Sequence, residues 1–311
     1  MDKKWEHIYG PVPSRRLGLS LGIDLVPYKT CNFDCIYCQL GRTKEKTVER
    51  KGYISAGTIL KNLFLALETV TKPDFLTLAG SGEPTLNSEI DIIISEIKKK
   101  TDIPVAVLTN GSLLSEFEVR KALLKADVVL PSLDAGDETT FIKINRPHES
   151  IHLEQIIGGM TAFRQDFEGA IWLEVFCVDG INTSDKQLQG LKEAIERIRP
   201  DKIQLNTAVR PPAESSVRAV DDETLGKICA LLGSKCEVIV KRDFHIEGRD
   251  SIIDPDSIMA ILSRRPCTLS DLTGALNTSP NHILKTISDL LEKGTIRSYF
   301  QNRELFYTKA S

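Results

Sequence analysis

The chain lacks any long apolar run. Nothing in its 311 residues approaches the roughly 20 consecutive apolar positions that a membrane-spanning helix needs, and residues 1–16 hold no apolar core of a secretory signal. The expectation is a cytoplasmic protein with no membrane partner. An excess of one charge is also missing: 40 basic residues stand against 43 acidic ones, a net of −3. A chain devoted to gripping a polyanion would be far more basic. The five histidines are scattered, and none pairs with another at a metal-ligand spacing. No cysteine precedes Cys31 and the total of seven is odd, so a disulfide framework is not the organising device.

What is present is a hydrophobic fraction of 41%, enough at this length for one or two domains with a sizeable core. Runs rich in Val, Ile, Leu and Phe at 21–27, 75–79, 105–109, 128–133, 171–178 and 202–206 read as buried parallel strands. Each is followed by a segment with apolar residues three or four apart. These helical faces begin with Ile59, Leu63 and Leu67, then Ile90, Ile93 and Ile97, then Val119 and Leu123. They continue with Leu153, Ile156 and Met160, then Leu188, Leu191 and Ile195, then Leu225, Ile228 and Leu232. Six βα units in series make an α/β fold, either doubly wound or a partial barrel. In both, the active site belongs at the C-terminal ends of the strands.

The pattern changes near residue 250. After a short β-rich run at 237–240 and a polar stretch at 245–255, three helical segments are expected at 257–262, 269–276 and 280–293. Gly294 suits the C-terminus of the third, and two β-type runs at 295–300 and 305–308 flank a polar loop. Three helices and a hairpin read as a winged helix-turn-helix. The division is therefore a core at 1–250 and a small domain at 251–311. Residues 256–311 carry seven basic side chains against five acidic ones, less than a DNA reader usually presents. Binding of RNA, of DNA or of a protein all stay open, with Arg297 and Arg303 as the wing residues to test.

Three of the cysteines, Cys31, Cys35 and Cys38, lie directly after the first strand at a C-x3-C-x2-C spacing. Three thiolates can wrap one small inorganic centre. Structural zinc wants four ligands and a fully cysteine-ligated iron–sulfur cluster also wants four, so one is missing nearby. Either an iron stays open to a small molecule, or Cys177, Cys229, Cys236 or Cys267 completes a zinc knuckle or a closed cluster.

This spacing, with the aromatic Tyr37 before the last cysteine, resembles the radical S-adenosylmethionine (radical SAM) superfamily. Later segments match in order. Gly80, Ser81, Gly82 and Glu83 follow the second strand like the family's GGE motif. Asn110 ends the third strand, Ser132 and Asp134 the fourth, and Asn206 the sixth. The flanking Gly10–Gly18 stretch, Asn145-Arg146-Pro147 and the run through Arg210 are similar to the wybutosine-synthesis-like (Fe–S oxidoreductase) branch. Members of that branch proper carry a second, N-terminal cluster, whose cysteines this chain does not show.

The resemblance implies a partial (βα)6 TIM-like barrel and a 4Fe-4S cluster on Cys31, Cys35 and Cys38. It also implies S-adenosyl-L-methionine on the open iron, contacted by Tyr37, Gly80, Ser81, Gly82, Glu83, Asn110, Ser132, Asp134 and Asn206. Reductive cleavage would yield a 5′-deoxyadenosyl radical that takes hydrogen from an unidentified substrate. The electron would come from a low-potential donor of flavodoxin or ferredoxin type. Glu83 would accept from the SAM ammonium, a charge-assisted bond, and Gly80 and Gly82 would let backbone approach the ligand. Arg15, Arg16, Arg146 and Arg210 are candidate substrate ligands, because arginine grips carboxylate or phosphate bidentately. No catalytic residue is assigned. A tRNA-modifying enzyme related to wybutosine synthesis and a non-catalytic iron–sulfur sensor acting through the winged helix are the alternatives.

Overall fold

A computed structural model describes residues 5–43, 45–239, 255–276, 278–301 and 304–310. The chain opens with an antiparallel hairpin, β1 (Ile8–Ser14) and β2 (Gly18–Ile23). Strands and helices then alternate: α1 (Ala56–Leu67), β3 (Phe75–Leu78), α2 (Ile90–Lys100), β4 (Val105–Thr109), α3 (Phe117–Leu123) and β5 (Val128–Pro131). The series continues through α4 (Glu138–Asn145), α5 (Leu153–Asp166), β6 (Ala170–Cys177), α6 (Asp185–Ile198), β7 (Lys202–Thr207), α7 (Asp222–Leu232) and β8 (Cys236–Val238). Spatial order equals chain order, and every pair from β2 to β8 is parallel. An order that never reverses has no switch point, so right-handed crossovers put every helix on one side of the sheet. That separates the two folds left open by the strand pattern: this is a partial barrel.

Period-2 alternation gives the strands two faces. Ile171, Leu173, Val175 and Cys177 of β6 join Leu21, Leu76, Val107, Val129 and Leu205 in one core with the apolar helix faces. Their alternates line the concave side. Nearer the strand N-termini this lining is apolar, with Leu17, Phe75, Ala106, Val128 and Trp172 together. One step further along it turns polar. Ser20 and Thr77 share a 2.6 Å hydroxyl contact, and Glu174 pairs in register with Gln204.

Several boundaries differ from the expected ones for physical reasons. The first parallel strand stops at Ile23, although Asp24 N still donates to His7 O at 2.8 Å beyond the end of β1. The fourth stops at Pro131, which has no N–H for the ladder. β1 was not expected. Pro11 and Pro13 disguise it, yet β1 is an edge strand, where a missing donor is tolerated. α4 was also missed. It is short, and Asp137 caps its start by accepting from Thr140 N at 3.0 Å.

The C-terminal unit comprises α8 (Pro255–Leu262), α9 (Leu269–Leu276), α10 (Pro280–Glu292) and the antiparallel pair β9 (Ile296–Gln301) and β10 (Glu304–Lys309). It has its own core around Ile258, Leu262, Leu272, Ile283 and Ile287, onto which Val12 of β1 packs. Arg264 Nη1 reaches Asp24 Oδ2 at 2.5 Å, and its guanidinium lies 3.8 Å over the Tyr9 ring. The expected division at 250/251, most of the polar stretch before 255, and Arg303 lie outside the described residues. No helix among the described residues is long and apolar enough to cross a membrane.

Candidate cofactor site

The cysteine loop leaves β2 at the C-terminal end of the sheet and leans on the end of α4. Asp34 N donates to Asn145 O at 3.0 Å and Ile36 N to Ile144 O at 2.9 Å. Carbonyls in a last helical turn have no intrahelical partner, so the loop takes its support from acceptors the helix leaves free. Arg146, in the left-handed region with φ 44°, ends α4 there. Within the loop, Cys38 N donates to Cys35 O at 3.1 Å, and Thr47 N anchors Cys31 O at 3.1 Å.

Cys31, Cys35 and Cys38 are free thiols, all partly exposed. Each has nitrogen donors aimed at its sulfur or close to it. Phe33 N lies 3.4 Å from Cys31 Sγ, and Asn110 Nδ2 is 3.9 Å from the same atom. Asn145 Nδ2 is 3.5 Å from Cys35 Sγ and Lys29 Nζ is 3.3 Å from Cys38 Sγ. Burial, aided by the Glu83 carboxylate, pushes the Cys31 thiol up to about 12. Burial also raises Cys35 well above its ordinary value, with Asp134, Cys38 and Cys31 adding to it. Thiolates are thus disfavoured here unless a cationic centre binds them, which reverses that balance. Among the described residues no three His, Cys, Asp or Glu side chains converge where one metal ion could sit. In an iron–sulfur cluster each thiolate takes a different iron, so its sulfurs need not meet at a point. Asn145 Oδ1 is in addition buried without a partner among the described residues, on the side chain that touches Cys35. The donor set fits a cluster with a further ligand better than it fits a zinc knuckle.

The other cysteines do not complete the set. Cys177 is buried in the core, Cys236 interacts with Cys229, and Cys267 is buried in the C-terminal unit.

The glycine loop is docked backbone-to-backbone on the entry to the cysteine loop. Glu83 N donates to Thr30 O at 3.0 Å and Lys29 N to Ser81 O at 2.6 Å. A Cβ on Gly82 would overlap Thr30 O, and one on Gly80, at φ 109°, would overlap Asp24 Oδ1. Both glycines therefore admit the protein's own neighbouring chain, rather than only a ligand as expected from sequence. Ser81 N donates to Asp24 Oδ1 at 2.9 Å.

Glu83 is also held within the protein. It is 2% exposed, and Oε1 accepts from Thr85 N (3.1 Å), Thr85 Oγ1 (2.6 Å) and Thr109 Oγ1 (2.6 Å). Its Oε2 accepts from Asn110 N at 2.7 Å. Burial raises its pKa while these four donors hold it down. Glu83 thereby staples the loop after β3 to the end of β4. Asn110 Nδ2 donates to Asn32 Oδ1 at 2.6 Å, tying β4 to the cysteine loop.

Asp134 is likewise committed. At 2% exposure it accepts from Tyr37 OH (2.5 Å), Asn145 Nδ2 (2.7 Å) and Phe176 N (2.8 Å), and burial pushes its carboxyl up to about 6. Tyr37 stacks on Phe176, centroids 3.9 Å apart and planes 9° apart. Ser132 is half-buried and forms a bridge with Glu174. Sequence reasoning missed Glu174, and it gave Lys29, Asn32 and Asn145 no role beyond their place in the cysteine segment and its flanking matches. Glu174 alone had a visible signal, as the one charge in an apolar strand.

Of the four arginines, three converge and one does not. Arg146 pairs with Glu214 (2.8 Å) outside the cysteine loop. Arg15 Nη2 donates to Asn206 Oδ1 at 3.1 Å, and Asn206 Nδ2 to Glu174 Oε1 at 3.0 Å. Arg16 pairs with Glu174 at 2.9 Å, and Arg210 with Asp271 of α9 at 2.9 Å.

A model of the Radical SAM superfamily matches residues 25–194. The chain is 34% identical over 310 residues to a UPF0026 protein of Methanocaldococcus jannaschii, covering 97% of this chain and 95% of that one. It is 38% identical over 307 residues to a protein named GTPase Obg from Brachyspira hyodysenteriae. That match covers 98% of this chain, which spans 45% of that relative's length. A solved radical SAM methyltransferase from Sphaerobacter thermophilus shares the fold, with a TM-score of 0.57 over 70% of this chain and 65% of that one, at 14% identity.

Proposed function

The chain belongs to the radical SAM superfamily and is an enzyme of that class, and on that premise we propose that Cys31, Cys35 and Cys38 hold a 4Fe-4S cluster with S-adenosylmethionine beside it. When bound, that pair supplies one-electron cleavage of a sulfonium C–S bond and a 5′-deoxyadenosyl radical able to take hydrogen from substrate. The chain's own residues orient and shield. Asn145, Lys29 and the Phe33 N–H donate toward the three sulfurs, and such bonds tune a cluster's potential. Glu83 and Asp134 act as braces, so the loops at Gly80–Glu83, Asn110 and Ser132–Asp134 offer the cofactor mainly main-chain groups. The orphaned Asn145 Oδ1 is an acceptor for a cofactor donor. That atom, beside three free thiols in a donor-rich loop, carries the reading.

The C-terminal unit is proposed as a winged helix-turn-helix, supported by its order of three helices and an antiparallel hairpin. Membership of the wybutosine-synthesis-like branch is supported by Asn145, Arg146 and Pro147 bracing the cysteine loop. A flavodoxin- or ferredoxin-type donor would deliver the electron. Anaerobic reconstitution with iron and sulfide, reduction by dithionite and addition of SAM test the assignment. Wild type should hold about four irons per chain and release 5′-deoxyadenosine, and Cys35→Ala should do neither. Stoichiometric zinc, or a cluster whose spectrum ignores SAM and yields no nucleoside, would refute it.

A further inference from the structure

We propose that Arg15, Arg16 and Arg210 form a recognition site for an oxyanion group of the substrate, a carboxylate or a phosphate, on the concave face of the sheet. The proposal deepens the radical SAM reading, on which it rests for the word substrate.

The site is assembled from distant parts of the chain. Arg15 and Arg16 come from the β1–β2 turn, Glu174 from β6, Asn206 from β7 and Arg210 from the loop after β7. Three guanidiniums face two carboxylates, Glu174 and Asp271, and Arg265 is close enough to repel Arg15 further. Positive charge is in excess. Among the described residues Arg15 pairs with no carboxylate and donates to the neutral Asn206 Oδ1. Its Nη1 and the Nε of Arg210 are buried with no acceptor among the described residues. Buried donors are nearly always paired, and an unpaired one costs stability. Arg164 and Arg146, also partly buried, each have a carboxylate partner, Asp201 and Glu214. The Arg15 pKa falls to about 10, from burial first and then from Arg210 and Arg16, as expected where an anion is wanted.

The place is also right for a substrate. Glu174 lies two residues before Phe176 on the same face of β6, about 7 Å along the strand. Phe176 carries the Tyr37 ring of the cysteine loop, and Asn206 is opposite Phe176 in register. The guanidiniums thus sit one side-chain layer below that loop. A small molecule anchored there by its anionic end would extend toward Cys38 and its neighbours.

The test uses the full chain and two probes, inorganic phosphate and succinate, titrated at constant ionic strength against the thermal unfolding midpoint. Wild type should be stabilised saturably by at least one probe, phosphate alone marking a phosphate site and succinate alone a carboxylate site. Arg15→Gln and Arg210→Gln should each weaken the apparent affinity about tenfold, while Arg197→Gln, from a surface pair, should leave it unchanged. Glu174→Gln should tighten it about threefold, because it removes the resident carboxylate that competes for Arg16. A stability role alone would not produce that gain. Circular dichroism checks that each variant is folded. No saturable response in wild type, or responses in Arg15→Gln and Arg210→Gln equal to that of wild type, would overturn the proposal. So would loss of the response when SAM is added to reconstituted protein, since the site would then be the cofactor's carboxylate subsite. Anion binding is read without SAM cleavage, so a chain that failed to cleave SAM would sink the radical reading separately.

Discussion

Gly82→Ala isolates the contact on which the cofactor site depends. The added methyl group would overlap Thr30 O and sit 3.0 Å from Val26 Cγ2. Because Thr30 O is backbone, no side chain can swing aside. Two responses are available. The loops hold their places and carry the strain of overpacking, about 1–3 kcal/mol. Alternatively they part, giving up the Glu83–Thr30 and Lys29–Ser81 backbone bonds at about 1 kcal/mol each. The chain takes the cheaper route, so both bound the loss near 2 kcal/mol. For a domain of this size that is a fall of about 4–8 °C in unfolding temperature. Gly57→Ala is the control, since its Cβ meets nothing and it lies within α1; it should gain up to about 1 kcal/mol. Differential scanning fluorimetry on the cluster-free protein measures both, and iron content after reconstitution should drop in Gly82→Ala alone. A Gly82→Ala protein that melts with wild type and binds iron fully would refute the docking argument.

Asp134→Asn should flatten the pH dependence of stability. The folded carboxyl sits at about 6, above its ordinary value near 3.9, so the native state takes up a proton before the unfolded chain does. Stability from this group therefore rises as pH falls from about 7 toward 4; a variant whose melting temperature changes with pH just as wild type's does would contradict this. Arg264→Ala should loosen the C-terminal unit, since it removes a charge-assisted bond to buried Asp24 and the stack on Tyr9, together about 2 kcal/mol. Hydrogen exchange should speed up in β1 and α9, and unchanged protection there would count against that contact.

How much of this was legible depended on whether chemistry or long-range packing chose the residue. Cys31, Cys35 and Cys38 announce themselves because only thiolates at that spacing serve a small cluster. Strand and helix periods were equally plain, since both faces of a parallel sheet are covered and the helices carry one apolar stripe each. The partners of Glu83 and Asp134 within the protein were not legible. A carboxylate after a strand can face a cofactor or brace a loop, and which it does depends on donors far away in sequence: Thr109 and Asn110 for Glu83, Tyr37 and Phe176 for Asp134. Among the arginines, the sequence offered four equal candidates. Only the curl of the sheet brings Arg15 and Arg16 across to β6 and β7 and leaves Arg146 on the outside of the loop with Glu214. β1 stayed hidden because prolines argue against a strand unless its edge position is known.

The charges of the C-terminal unit bear on what that unit does. Of its basic side chains, Arg264 is spent on Asp24, the same carboxylate whose other oxygen holds Ser81 N in the glycine loop. Arg265 acts on Arg15, and the acidic Asp271 holds Arg210. Three ionic side chains thus point into the barrel and contribute to both the glycine-loop and the arginine layers. Lys285, Lys293, Arg297 and Lys309 remain on the described outer elements, against Asp256, Asp289, Glu292 and Glu304. Among the described residues those charges balance, with Arg303 lying outside them, and phosphate binding is driven by uncompensated positive charge. The contacts of Arg264, Arg265 and Asp271 tie the unit to the core and bring its charges to the glycine-loop and arginine layers. A change at Arg264 would then reach the cofactor loop through one shared carboxylate.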